Sequence, residues 1–354
     1  MAITPETLAA ADTLRTQVGA PADAATRSHT VAWAASWAGL TAAMMAMLAS
    51  ADAATAILGH WPRPWEWSRI TAATNALDTA TAELGRLTAD ATTTASTAAT
   101  SAINATLTGE PPIITTQVPE SHRAETITTV AAVTAAIVAE QLASATTARV
   151  TRTMSTIPGA TMSLIRQVLY RGPRARVQLI DDVRAAYATG LDRAMTATRT
   201  EVLDAYRATA QTIHQALPDL VGGWVWSCRL DIRVCPACLA MHGSTFPAHV
   251  PGPIDHQCGR CQRIPTVLPW ATLGWSDTEP TSALPDAREW FAALSDADRL
   301  VVLGPGRLAL MDAGLIGWDD IPRIRHAQMW RDSYQPATLA ELKRLASQRE
   351  NGTT

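Results

Sequence analysis

Large apolar side chains recur at helical spacing through most of this 354-residue chain. Trp33, Trp37, Leu40, Met44 and Leu48 follow at intervals of four, three, four and four with mostly small residues between them, which predicts one buried stripe on a helix over 28–50. A shorter helix is expected over 1–20, with Thr4 as cap, Pro5 at the first position and Glu6 in the first turn. The run Trp61-Pro62-Arg63-Pro64-Trp65 predicts a rigid corner, serving either as packing at a bend or as a partner site. Residues 68–108 read as helix again. Residues 109–119, with Pro111, Pro112 and Pro119, read as a linker, and a further helix is expected over 119–156, acidic at its start and basic at its end. Ile180, Val183, Tyr187, Leu191, Met195, Val202, Tyr206, Ala210, Ile213 and Leu217 keep one stripe on a long helix over 177–217.

At Trp224 the period changes to two. Trp226, Cys228, Leu230, Ile232 and Val234 alternate with Ser227, Arg229, Asp231 and Arg233, the pattern of a strand buried on one face, with Cys228 a small core thiol. Short helices are expected over 285–294 and 305–313, a short segment over 316–321 and a last helix over 337–348. Gly304-Pro305-Gly306-Arg307 lacks the form of a phosphate-binding loop.

Charge adds little globally, since the net value is −3. Arginine nevertheless outnumbers lysine twenty-eight to one, Lys343 being the single lysine, which reflects the usage of a GC-rich genome. Residues 28–50 hold no Asp, Glu, Lys or Arg and pass the length test for a membrane span. Alanine drives insertion weakly and Asp52 follows at once, so a buried bundle helix is the expectation and a membrane role is disfavoured. The N-terminus lacks a basic n-region, so no secretory signal is expected. One local excess stands out. No acid lies between Gln141 and Ile180, while Arg149, Arg152, Arg166, Arg171, Arg174 and Arg176 gather there. They read either as a solvated turn or as a patch for DNA phosphates or an acidic partner.

All five cysteines fall within residues 224–267, with His242, His249 and His256. Cys235-Pro-Ala-Cys238 and Cys258-Gly-Arg-Cys261 are two C-x-x-C turns with nineteen residues between them. Two such turns can aim four thiolates at one tetrahedral ion, so the spacing points to structural zinc on Cys235, Cys238, Cys258 and Cys261, with His256 as the alternate ligand. Other readings compete. The odd cysteine count disfavours disulfides. CPAC resembles a redox pair, though no strand-helix-strand pattern precedes it. Asp255-His256 suggests a zinc-supported nuclease with histidine as base, and empty thiols packed as core complete the set. With zinc, the fold class is mainly α: an N-terminal helical bundle over 1–118, a long-helix stalk over 119–217, a small zinc-ribbon-like β module over 218–268 and a short-helix region over 269–354.

The order Trp226, Asp231, Cys235, Cys238, Gly243, Phe246, Pro251, Pro253, His256, Cys258, Cys261, Pro265 resembles the C-terminal signature of the phage Mu F-like minor head proteins, the phage head morphogenesis family. Arg199-Thr200-Glu201 upstream, and Leu303-Gly304 with Arg307 and Gly314 downstream, are similar to its flanking segments, so the likeness covers about residues 165–325. One departure is Gly259, where the family motif commonly ends Cys-Arg-Cys; the extra residue improves the zinc spacing. The resemblance implies a non-enzymatic minor capsid protein in the virion, built into the head in the host cytoplasm. Its implied partners are the portal protein, other capsid proteins and packaged double-stranded DNA. It also implies that Arg199 and Glu201 anchor their helix to the cysteine module.

Overall fold

The computed structural model describes residues 2–171, 176–327 and 330–352. The chain is mainly helical with a small antiparallel sheet. It divides into two compact units, neither a contiguous run: one holds residues 1–18, 102–142 and 203–354, the other residues 19–101 and 143–202.

The first helix, α1, runs Pro5–Leu58 without a break. Its start follows the expected chemistry, with Thr7 N–H donating to Thr4 Oγ1 and Thr4 N–H to Thr7 Oγ1, each at 3.2 Å. The expected gap between 20 and 28 is not there. Pro21 lies inside the helix, and Ala11, Leu14, Val18, Ala22, Ala25, His29 and Trp33 form one uninterrupted buried stripe across it. Burial along that stripe outweighs the hydrogen bond the proline cannot make.

In the unit of residues 19–101 and 143–202, Trp33, Leu40, Met44 and Leu48 are buried, and Trp37 packs against the same core at partial exposure. α1 is long and apolar enough to cross a membrane, and 28% of its most apolar window is buried. The corner is built as a packed bend: Trp67 is buried and donates Nε1–H to Pro62 O at 2.9 Å, while Trp65 stays exposed under the Arg63 guanidinium. α2 (Thr71–Thr115) then presents Ala73, Ala80, Leu84, Leu87, Ala91 and Ala95 to the core. Ile157, Ile165, Leu169, Val183 and Tyr187 complete that core.

α2 carries straight through Pro111 and Pro112, so the expected linker over 109–119 is mostly helix. The unit of residues 1–18, 102–142 and 203–354 shows why. Glu110, completely buried, bonds His214 at 3.0 Å, and Ile114 and Val118 pack with Ile213, Leu217 and Val267. Past the helix, buried Gln117 donates to Pro265 O at 2.8 Å and accepts from Val267 N–H at 3.3 Å. An amide side chain thus closes the edge of a strand. The single helix expected over 119–156 is two, α3 (Glu120–Ala136) and α4 (Ala139–Met154), with extended backbone at Ile137 between them. α5 (Ile157–Tyr170) and α6 (Arg176–Gln215) follow, the latter close to the expected long helix.

The sheet has order β2-β1-β3 with both pairings antiparallel. β1 (Val221–Ser227) is its centre, and α7 (Pro236–Met241), β2 (Thr245–Pro247) and β3 (Gln262–Val267) complete the module. Gly223 is required in β1, since a Cβ there would stand 2.5 Å from Phe246 O on the neighbouring strand. The strand ends earlier than its alternation predicts. Residues 228–234 turn away, with Arg233 N–H donating to Asp231 Oδ1 at 2.9 Å and Ile232 exposed, while Cys228 is core as expected. After the sheet come α8 (Ala287–Ala292), α9 (Asp296–Leu303), α10 (Pro305–Asp312), the hairpin β4 (Pro322–Ala327) and β5 (Trp330–Pro336), and α11 (Leu339–Gly352). The hairpin is not legible in sequence, since neither strand carries a run of alternating apolar residues.

Candidate metal centre

Cys235 caps α7, Pro236 opens it and Cys238 sits on its first turn, so the CPAC segment delivers both sulfurs from one tight bend. The opposing ligands come from the loop before β3. The ligand atoms of Cys235, Cys238 and His256 lie within 4.8 Å of one another, and so do those of Cys238, Asp255 and Cys261. Cys238 belongs to both groups. His256 Nδ1 bonds Gln257 O at 2.8 Å, which leaves Nε2 for the sulfurs, the orienting arrangement usual for a metal-ligating imidazole.

Cys258 is in neither group, against the four-cysteine expectation. It is the one described non-glycine residue with a left-handed backbone, φ 58°. The bend made there wraps the loop around Asp255, and Cys261 is the thiol of this loop that shares a group with Cys238. Gly259 therefore does something other than adjust zinc spacing. A Cβ on it would stand 2.0 Å from Asp255 Oδ2, so only glycine lets the backbone close over that carboxylate.

Asp255 is fully buried and is the loop's internal anchor. Its Oδ2 accepts from Cys261 N–H at 3.2 Å and from Arg207 at 2.8 Å, and its Oδ1 lies 3.4 Å from Arg331. Arg207, buried on α6, also donates to Gly259 O at 3.0 Å, Cys261 O at 3.1 Å and Asp204 Oδ1 at 2.8 Å. Burial pushes the Asp255 carboxyl up, with Arg207 pulling against it. Burial also works against Asp204, yet Arg207 and Arg331 hold that carboxyl below its ordinary value. A second clamp joins the two ligand-bearing arms: Arg260 makes a bidentate pair with Asp231 at 2.7 and 2.8 Å, holding Asp231 down at about 2.

Charge inside the cluster is already separated. The Cys238 thiol and, against the effect of burial, the His256 ring hold Cys235 down at about 4. His256 rises to about 9 through its bond to Cys235. Cys238 is pushed far up by its bonds to Cys235 and Cys261 and by burial. A cation placed here would displace the remaining thiol protons and the His256 ring proton and meet three thiolates and a neutral imidazole. All five cysteines are thiols, with no disulfide. Cys228 packs in the core, its N–H donating to His242 Nδ1 at 3.0 Å while His242 Nε2 donates to Pro285 O at 3.0 Å. That fixes His242 as a neutral structural ring, not a ligand.

Comparison with family models, with curated proteins and with solved structures finds no match to this chain.

The other expected residues fall elsewhere. Arg199 pairs with Asp23 at 2.6 Å, and Glu201 with Arg149 at 3.3 Å, all within the unit of residues 19–101 and 143–202. Arg207, about two turns further along α6, bonds the cysteine-bearing loop. Arg149 is thus engaged with a carboxylate, while Arg152, Arg166 and Arg171 are exposed. Arg174 lies outside the described residues, as does the side chain of Arg176. Arg207 and Asp204 went unnoticed in sequence, although an acid and an arginine three apart beside Tyr206 of the buried stripe are a usable sign of a buried pair. Nothing comparable marks Arg331.

Proposed function

We propose that this chain is a non-enzymatic minor capsid protein of a phage head, associated with the portal and with packaged double-stranded DNA. Its cysteine module is stiffened by one zinc ion on Cys235, Cys238, Cys261 and His256. The observation that carries the reading is the convergence of three thiols and one imidazole from the very segment whose residue order resembles the head morphogenesis signature. Three sulfurs and a nitrogen are a donor set that suits zinc, and four protein ligands leave no open position for substrate, as in structural sites. Zinc bound in this way contributes roughly 10–16 kcal/mol to small modules whose own cores are slight. Asp255, beside the His256 base of the nuclease reading, is occupied by Arg207 and the Cys261 amide, which supports a holding role for it. The exposed Arg152, Arg166 and Arg171 are the surface offered to phosphates.

Elemental analysis of the chain purified without chelator tests the metal: one zinc per chain is expected, and none would overturn it. Mass spectrometry of purified phage particles tests the location, expected as a few copies per head; exclusion from particles would sink the capsid assignment. The apolar window of α1 favours a second reading, attachment to a membrane. Cosedimentation with lipid vesicles, against solubility without detergent, separates the two.

A further inference from the structure

The ligand loop does two jobs within eight residues. His256 and Cys261 face the sulfurs of α7, while Ile254 and Asp255, next to them, hold the C-terminal hairpin. Arg331 of β5 donates to Asp255 O at 2.8 Å and reaches Asp255 Oδ1 at 3.4 Å, and Tyr334 N–H donates to Ile254 O at 2.8 Å. Arg331 also makes a two-point bond to Asp204 at 2.7 and 2.9 Å, beside Arg207. Both hairpin strands pack on α7, the helix that carries Cys238, and the Tyr334 ring meets Trp226 edge-on at 5.7 Å.

Such a hairpin does not hold its place alone. It has two strands, Ile324 is exposed, and Ser333 is buried in place of an apolar residue. An isolated two-stranded ribbon is marginal in water. Its position depends on the shape of the 254–261 loop, and that shape depends on where His256 and Cys261 are held.

Resting on the zinc reading above, the geometry points to a metal-dependent clasp: ion binding at Cys235, Cys238, Cys261 and His256 is coupled through Asp255 to docking of the β4–β5 hairpin by Arg331. An ion fixes His256 and Cys261 against α7 and so fixes the Asp255 backbone and carboxylate that Arg331 grips. Removing it lets the loop relax and the hairpin loosen. Coupling of this kind is reciprocal, so a docked hairpin tightens ion binding by the same factor. Other ties of the hairpin, Arg325 to Glu341 of α11 and Arg331 to Asp204 of α6, do not involve the loop and are kept in both states.

Amide hydrogen exchange of the full chain, zinc-loaded and after treatment with a strong chelator, tests the clasp. Exchange in β4 and β5 is expected to quicken about tenfold on chelation, within the usual range of coupling between sites, while α5 stays as it was. In parallel, Arg331→Met is expected to weaken zinc about tenfold in competition with a chromogenic chelator, whereas Arg323→Met, which bonds only backbone carbonyls near its own strand, leaves it unchanged. If zinc binds and is removed with no change in hairpin exchange, or if Arg331→Met holds zinc as tightly as the natural chain, the clasp is wrong and the site stands. A chain that takes up no zinc overturns both. The exchange arm uses the unmodified protein and decides the matter should Arg331→Met fail to fold.

Discussion

Replacing Arg207 with methionine removes the donor at the centre of the buried polar cluster while keeping most of its aliphatic volume. The guanidinium, 5% exposed, serves four acceptors: Asp204, Asp255, Gly259 O and Cys261 O. Asp255 is wholly buried and would be left with the Cys261 amide and the longer contact to Arg331. Breaking a buried pair from one side costs roughly 3–5 kcal/mol, and each orphaned carbonyl adds on the order of 1 kcal/mol before relaxation. These sum to about 5–7 kcal/mol before relaxation, and with the site free to relax the expected loss is about 3–5 kcal/mol, read by urea unfolding at pH 7 followed through tryptophan fluorescence. Arg288→Met is the control. Its side chain and that of its partner Asp319 are both exposed, so its loss is expected to stay under about 1 kcal/mol. Adding Asp255→Asn to Arg207→Met removes the stranded charge and should recover about 1–3 kcal/mol. An Arg207→Met chain within 1 kcal/mol of the natural one, or a double variant with no recovery, would refute the anchor.

Gly259→Ala places a methyl on the Asp255 carboxylate and is expected to cost about 1–3 kcal/mol and lower the melting temperature, as checked by calorimetry. Cys258→Ser is expected to retain the metal, whereas Cys238→Ser, which strikes both ligand groups, loses it; metal-to-protein ratios after gel filtration check this. His29, buried and bonded to Thr198 Oγ1 at 2.7 Å, is pushed by burial from 6.5 down to about 4. Being depressed in the folded state, it contributes its full stability above about pH 6.5 and loses it as pH falls toward 4. At pH 5 that is roughly 2 kcal/mol, at 1.36 kcal/mol per pH unit. His29→Gln should show a correspondingly smaller drop in unfolding free energy between pH 7 and pH 5, and an equal drop in both proteins would falsify the assignment.

How far the sequence could be read depended on whether the deciding contact was local. The stripe from Trp33 to Leu48 and the long helix through Tyr206 follow from spacing alone, and most of their predicted positions are buried, with Trp37, Ile180 and Leu191 among those partly so. The knuckle at Cys235 and Cys238 is local too, a cap and a first turn. Pro111 and Pro112 misled because what keeps them helical, Glu110 on His214 and Gln117 on the edge of β3, comes from residues more than a hundred positions away. The choice of Cys261 over Cys258 was equally out of reach. It depends on a carboxylate, Asp255, being drawn into the interior by an arginine 48 positions earlier, and no spacing rule carries that information.

The interleaving of the two units bears on how the chain acquires its form during synthesis. Residues 19–101 and 143–202 are all present once the ribosome has passed position 202. The opening turns of α1, by contrast, must wait: Ala11 O meets its donor, Gln262, only 251 residues later, and Ile3 O is closed by the amide of Ala283. The cysteine-bearing half can thus mature only after most of the polypeptide has emerged, and a proteolytic nick near either terminus would injure the same half.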